Sequence, residues 1–155
     1  MYGYHIASAA AGKRITVAAD QATLATIFRQ MMGLLEHHAV AVSMTSGGQT
    51  LLEETLPDTV ARDRIAVLLK HLSGGDAQFT VLGESCGLNH TISRNALGQL
   101  EVETMNLAFV KKILKKHALH AFEDLKQLSS VRPELSANDQ QQIQTLLQEL
   151  KGSSL

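Results

Sequence analysis

The chain has 155 residues, 45% of them hydrophobic, and its 14 basic and 15 acidic side chains leave a net charge of −1. That length and apolar content suit one globular domain that buries roughly two-thirds of its unfolded surface without disulfides or metals. The balanced charge argues against a global electrostatic attraction to nucleic acid or anionic membrane and leaves only local patches to consider.

Residues 13–20 read KRITVAAD, where Ile15 and Val17 alternate with polar neighbours and predict a short strand. Asp20 then stands where a helix cap is wanted. Leu24, Ile27, Phe28, Met31, Leu34 and Leu35 recur every third or fourth residue, which predicts a helix to about His37 with one buried face. His37 and His38 fall where a helix C-terminus favours positive charge. Residues 39–44 and 50–55 read as two strands joined by a turn at Thr45-Ser46-Gly47-Gly48, a hairpin. Asp58 is the expected cap of a second helix with Ile65, Leu68, Leu69 and Leu72 buried, ended by Gly74-Gly75 in a left-handed conformation.

Residues 77–104 hold three extended runs separated by Glu84-Ser85-Cys86-Gly87 and Asn95-Ala96-Leu97-Gly98. Each segment ends in glycine, as in a type I turn followed by a left-handed residue, and the stretch reads as a three-stranded antiparallel meander. Asn106 caps a third helix whose apolar face runs from Leu107, Val110 and Leu114 on to Phe122, Leu125 and Leu128. After a break at residues 129–133, Ser136 and Asp139 resemble a capping box. They open a last helix with Ile143, Leu146, Leu147 and Leu150 on one side and glutamines on the other. The tail, residues 152–155, is expected to fray.

The expected class is therefore α+β: an antiparallel sheet of about five to six strands with helices packed on it, in the order β-α-β-β-α-β-β-β-α-α. Residues 1–130 form the core domain, and residues 131–155 a helical attachment that packs on the core or on a second copy. From the first helix to the third, about residues 20–128, this order resembles the α-β-β-α-β-β-β-α of roadblock-type dimerisation domains. It is also similar to the broader profilin-like group that includes PAS and GAF sensor domains. That resemblance is one of element order alone, with no family motif behind it, and does not carry function.

Cys86 is the sole cysteine, so no internal disulfide forms, which suits a reducing compartment. Residues 1–5 lack the basic region and apolar run of a secretory signal, and no stretch approaches about 18 uninterrupted apolar residues. The expectation is a soluble, cytoplasmic protein with no membrane span and no cofactor.

Four constellations bear on function. The first is a rival reading of residues 77–97 as a helix-turn-helix, with Gly83 and Gly87 at the small-residue positions and Thr91, Ser93 and Arg94 facing DNA. Its spacing is one residue short, Gly98 would weaken the recognition helix by about 1 kcal/mol, and the strand-like alternation that follows is strong. The second is a weak set of metal candidates, Cys86 with His90 and His117 with His120, against which stands the reading of a turn cysteine and solvated histidines. No metal site is assigned. The third is catalytic: Ser46 and Ser85 lack a nucleophile-elbow context, Glu53 and Glu54 point to opposite faces of a strand, and Glu101 and Glu103 share a solvated one. The fourth is charge and amphipathicity. Lys111, Lys112, Lys115 and Lys116 form either a solvated helix face or a docking stripe for an acidic partner. The stripe Ile143, Leu146, Leu147 and Leu150 must dock on its own domain or on a second copy.

The expected function is a non-catalytic interaction protein, an adaptor, chaperone-like or assembly subunit of a larger bacterial-type complex. It would work as a homo-oligomer through the open edge of its sheet and its terminal helices. A helix-turn-helix regulator that binds nucleic acid and a small-molecule sensor are the alternatives.

Overall fold

In the computed structural model, which describes residues 1–10, 12–36 and 38–151, the expected first strand is β2 (Gly12–Ala18). It is preceded by a strand the sequence reading missed, β1 (Gly3–Ala9), paired with it from Gly3↔Ala18 to Ala9↔Gly12. The segment GYHIASA is mostly small residues without clean alternation, so only its partner makes it a strand. Asp20 caps α1 (Gln21–Met31) as expected, its carboxylate accepting from Thr23 N at 2.9 Å. A 3-10 turn, Met32–Leu35, carries Leu34 and Leu35 into the core. His37, the expected helix end, lies outside the described residues, as do residues 152–155.

The hairpin is β3 (Ala39–Ser46) and β4 (Gln49–Pro57), joined by a two-residue Gly47-Gly48 turn. α2 (Asp58–His71) starts one residue earlier than expected: Pro57 holds the cap position and Asp58 is the first helical residue. Its expected apolar stripe is buried, but Gly74 and Gly75 do not end it through left-handed backbone. The helix already ends at Leu72, and the glycines answer a different need. A side chain at Gly74 would run into the Glu134 carbonyl, and one at Gly75 into the Ala96 carbonyl.

Residues 78–104 are the antiparallel meander: β5 (Gln78–Ser85), β6 (Leu88–Arg94) and β7 (Leu100–Thr104). The second turn is as expected, with Gly98 N donating to Asn95 O at 3.1 Å and Gly98 at φ +73°. The first is tighter: Cys86 and Gly87 are both left-handed, at φ +55° and +76°, the two-residue geometry that fits strand twist. No helix-turn-helix forms there, because residues 78–85 and 88–94 are strands.

α3 (Leu107–Lys116) is shorter than expected. Ala118 takes φ +56°, and Leu119 N and Ala118 N donate to the carbonyls of Leu114 and Lys115. That is a Schellman stop with alanine where glycine is usual. Phe122, Leu125 and Leu128 therefore lie beyond the helix, and Leu125 is exposed. α4 (Ala137–Lys151) opens with the expected capping box: Ser136 N donates to Asp139 Oδ2 at 2.9 Å and Asp139 N to Ser136 Oγ at 3.1 Å.

The architecture is α+β, with a seven-stranded antiparallel sheet in the order β1-β2-β7-β6-β5-β3-β4. α1 carries the chain from β2 to β3 across the width of the meander, which later fills the gap. Ile15, Val42, Phe79, Ile92 and Val102 from the sheet join Phe28, Ile65, Leu69 and Leu114 from the helices in one core. The other face carries polar, charged and small side chains, with Leu82 among them. One row runs Thr55, Ala41, Leu82, Thr91, Glu103, Arg14, and the next Glu53, Ser43, Thr80, Ser93, Glu101, Thr16. No helix among the described residues is long and apolar enough to cross a membrane.

The two sheet edges differ. Along β1, Tyr4 N donates to His120 O at 3.0 Å and accepts at its carbonyl from Phe122 N at 2.7 Å. The chain beyond α3 thus lies on that edge. At β4 no further strand lies alongside among the described residues.

Candidate functional site

The lysine face of α3 follows from its capping and its buried side. Asn106 Oδ1 accepts from Phe109 N at 3.2 Å and starts the helix. Val110, Ile113 and Leu114 go into the core, and Phe109 packs against Gly33 in the 3-10 turn after α1, where a larger residue would collide with its ring. The remaining positions, Lys111, Lys112, Lys115 and Lys116, are all exposed. None has an ion-pair partner among the described residues. The surface arginines contrast with them: Arg14 meets Glu103 at 2.6 Å, Arg29 meets Asp63 at 2.8 Å and Arg64 meets Glu149 at 3.0 Å. Lys115 and Lys116 also lie in the last turn, where the helix dipole favours them.

The stripe on α4 is taken up within the chain. Ile143, Leu146 and Leu150 belong to the common core, Leu147 packs partly against it, and α4 lies along α2. A polar latch fixes the start of that helix. Asp139 is wholly buried and accepts from Ser73 N, Ser73 Oγ and Gly74 N as well as Ser136 N, at 2.8 to 3.1 Å. Burial pushes its carboxyl up, but the hydrogen bonds from Ser73 and Ser136 outweigh this and hold it below the usual carboxylate range. Arg94 is its neighbour in the same node, with Nη1 donating to Ala77 O and Nη2 to Gly74 O, both at 2.7 Å. Burial lowers the Arg94 pKa to about 10, with the Asp139 charge pulling the other way.

That geometry separates the three residues assigned to DNA. Thr91 and Ser93 are half-buried on the open face of the sheet, whereas Arg94 is buried on the opposite face. The metal candidates are also apart. Cys86 is exposed in the β5–β6 turn, while His90 is buried with Nδ1 2.8 Å from Thr104 Oγ1. His117 follows the last turn of α3 with Nε2 2.8 Å from Gln30 Oε1, and His120 lies past the helix beside β1. Among the described residues no three His, Cys, Asp or Glu side chains are grouped to hold a metal. Ser46 Oγ donates to Asp76 Oδ2 at 3.2 Å, and Glu101 and Glu103 flank Arg14.

An open trough of about 550 Å3 runs over β3, β4 and β5 on the uncovered face, lined by Ala41, Ser43, Thr55, Thr80 and Leu82 with Glu53 and Glu54 at its rim. The sensor reading expects its pocket between sheet and helices, and this trough lies on the other side. Sequence reasoning dismissed Glu53 and Glu54 because they do not share a face. Their position on a bare edge is a property of strand order, which no local signal carries.

Burial also lowers the pKa of His90. The unfolded chain takes up a proton near pH ~6.5 while the native imidazole stays neutral, so stability falls as the pH drops through that value. The denaturant midpoint should therefore fall more between pH 7.5 and 5.5 for the natural chain than for a His90→Gln variant; equal falls would contradict this.

No family model, curated protein or solved structure matches this chain. The α-β-β-α-β-β-β-α order is present from Gln21 to Lys116 as an arrangement of elements.

Proposed function

We propose that the protein is a non-catalytic interaction module, an adaptor or chaperone-like subunit, which docks an acidic protein partner on the exposed face of α3. The observation that supports this is the set of four exposed lysines without an ion-pair partner among the described residues, on a helix whose apolar side is fixed in the core. Homo-oligomerisation belongs to the same reading. It would use sheet surfaces, since α2 already covers the apolar stripe of α4. A light-scattering mass of one chain at micromolar concentration removes that part.

The test of the docking face uses a fluorescent fifteen-residue polyglutamate peptide. It should bind the full chain at low salt and weaken as salt screens the pair. Reversing all four lysines to glutamate should cost roughly fourfold or more, since exposed charge pairs contribute about 0.2–1 kcal/mol each. Unchanged binding by the reversed chain sinks the reading. Tighter binding of a DNA duplex than of the peptide moves the face to the nucleic-acid alternative.

A further inference from the structure

We infer that the bare edge of β4 receives an extended segment of a partner protein carrying two consecutive basic residues. The inference stands on a different surface from the α3 reading and does not depend on it. β4 is nine residues long and closes one side of the sheet. Leu52 and Leu56 anchor it in the core, so it is a fixed template and not a fraying end. In an antiparallel edge strand, alternate residues direct N–H and C=O groups away from the only neighbour. Among the described residues, no backbone hydrogen bond from outside the β3 ladder and the hairpin turn is made to residues 50–55, and Leu51 alone lies near α4, beside Gln140 and Gln144. At β1 the segment containing His120 and Phe122 pairs with both backbone groups of Tyr4.

Charge selects the occupant. Glu53 and Glu54 sit at the middle of the edge, and neither has an ion-pair partner among the described residues. Successive strand residues alternate faces, so Glu53 belongs to the open face beside Ser43 and Glu54 to the helix side beside Val42. An added strand meets both carboxylates if it carries two adjacent basic residues, one per face. On the open face the trough of Ala41, Ser43, Thr55 and Thr80 gives a long basic side chain apolar and hydroxyl surface to lie along. A second copy fits less well. The antiparallel register that pairs all nine residues puts Glu53 opposite Glu53 of the other copy, and like charges directly opposite are destabilising.

The probe is a labelled extended hexapeptide with two central lysines flanked by valine and threonine, titrated into the full chain. Its two-glutamate counterpart and a version N-methylated on alternate amides serve as controls. Binding should favour the lysine peptide, be lost on N-methylation, and shift NMR resonances of residues 49–57. A Glu53→Lys, Glu54→Lys chain should lose at least tenfold in affinity for the lysine peptide and gain affinity for the glutamate peptide. Glu53 is exposed and Glu54 half-buried, so unchanged thermal melting checks that the variant is folded. Equal binding of the two peptides, or shifts confined to α3, overturns the inference. So does slow amide exchange along β4 in a peptide-free chain whose mass doubles with concentration, because the occupant is then a second copy.

Discussion

Replacing Asp139 with alanine should lower the stability of the chain by about 3–5 kcal/mol, read as a shift in denaturant midpoint. The carboxylate is wholly buried and accepts hydrogen bonds from Ser73, Gly74 and Ser136. Alanine leaves those donors without an acceptor and takes a counter-charge from the node that holds the Arg94 guanidinium. Each buried donor left unmet costs about 1–3 kcal/mol, less whatever water can reach it. Asp139→Asn keeps one acceptor oxygen and should cost less than alanine. The pH dependence follows from the lowered carboxyl pKa. Unfolded chain binds a proton near pH ~3.9 while the native carboxylate does not, so the stabilisation is full above that value. It disappears as the pH falls through the native pKa. The asparagine variant should therefore lose less stability than the natural chain between pH 6 and pH 3. A loss under 1 kcal/mol for alanine, or identical acid profiles, would show that the latch does not hold α4.

What could be read from the sequence was local. The Asp20 cap, the buried stripe of α1, the Asn95–Gly98 turn and the Ser136–Asp139 capping box each rest on residues within a turn or two of one another. The α+β class and the antiparallel meander follow from such local signals. The misses have physical causes of another kind. α3 was extended past Lys116 because its stop is Ala118, a residue with no sequence signal for left-handed backbone. β1 was missed because its small residues alternate weakly and its strand character comes from pairing with β2. Arg94 reads as a DNA-facing residue in the helix-turn-helix alternative because nothing near it in sequence announces the carbonyls of Gly74 and Ala77 or the distant Asp139. The weight of Glu53 and Glu54 depends on β4 being the last strand of the sheet, and strand order is settled by contacts far apart in the chain.

Phe28→Ala should cost about 3–5 kcal/mol, the usual range for an aromatic ring removed from a packed core. Phe28 is fully buried on α1 and meets Phe79 of β5 edge to face, with ring centroids 5.6 Å apart at 83°. This pair joins the helix layer to the sheet, and so links the two candidate docking surfaces. The 3-10 turn that follows α1 meets α3 through the Gly33–Phe109 contact, while β5 pairs with β3, which carries β4. A double-mutant cycle with Phe79→Leu should give a coupling of about 0.5–1.5 kcal/mol, the part of the ring contact beyond buried area. Chains have only about 5–15 kcal/mol of stability to lose, so Phe28→Ala should be studied well below its melting point. At such a temperature the folded variant should still bind polyglutamate through α3, because its lysines point away from the ring. Binding that weakens in proportion to the unfolded fraction fits a structural role for Phe28. Binding that disappears while the chain remains folded would mean that α3 depends on the aromatic contact for its position. The lysine face would then be coupled to the core and not merely displayed on it.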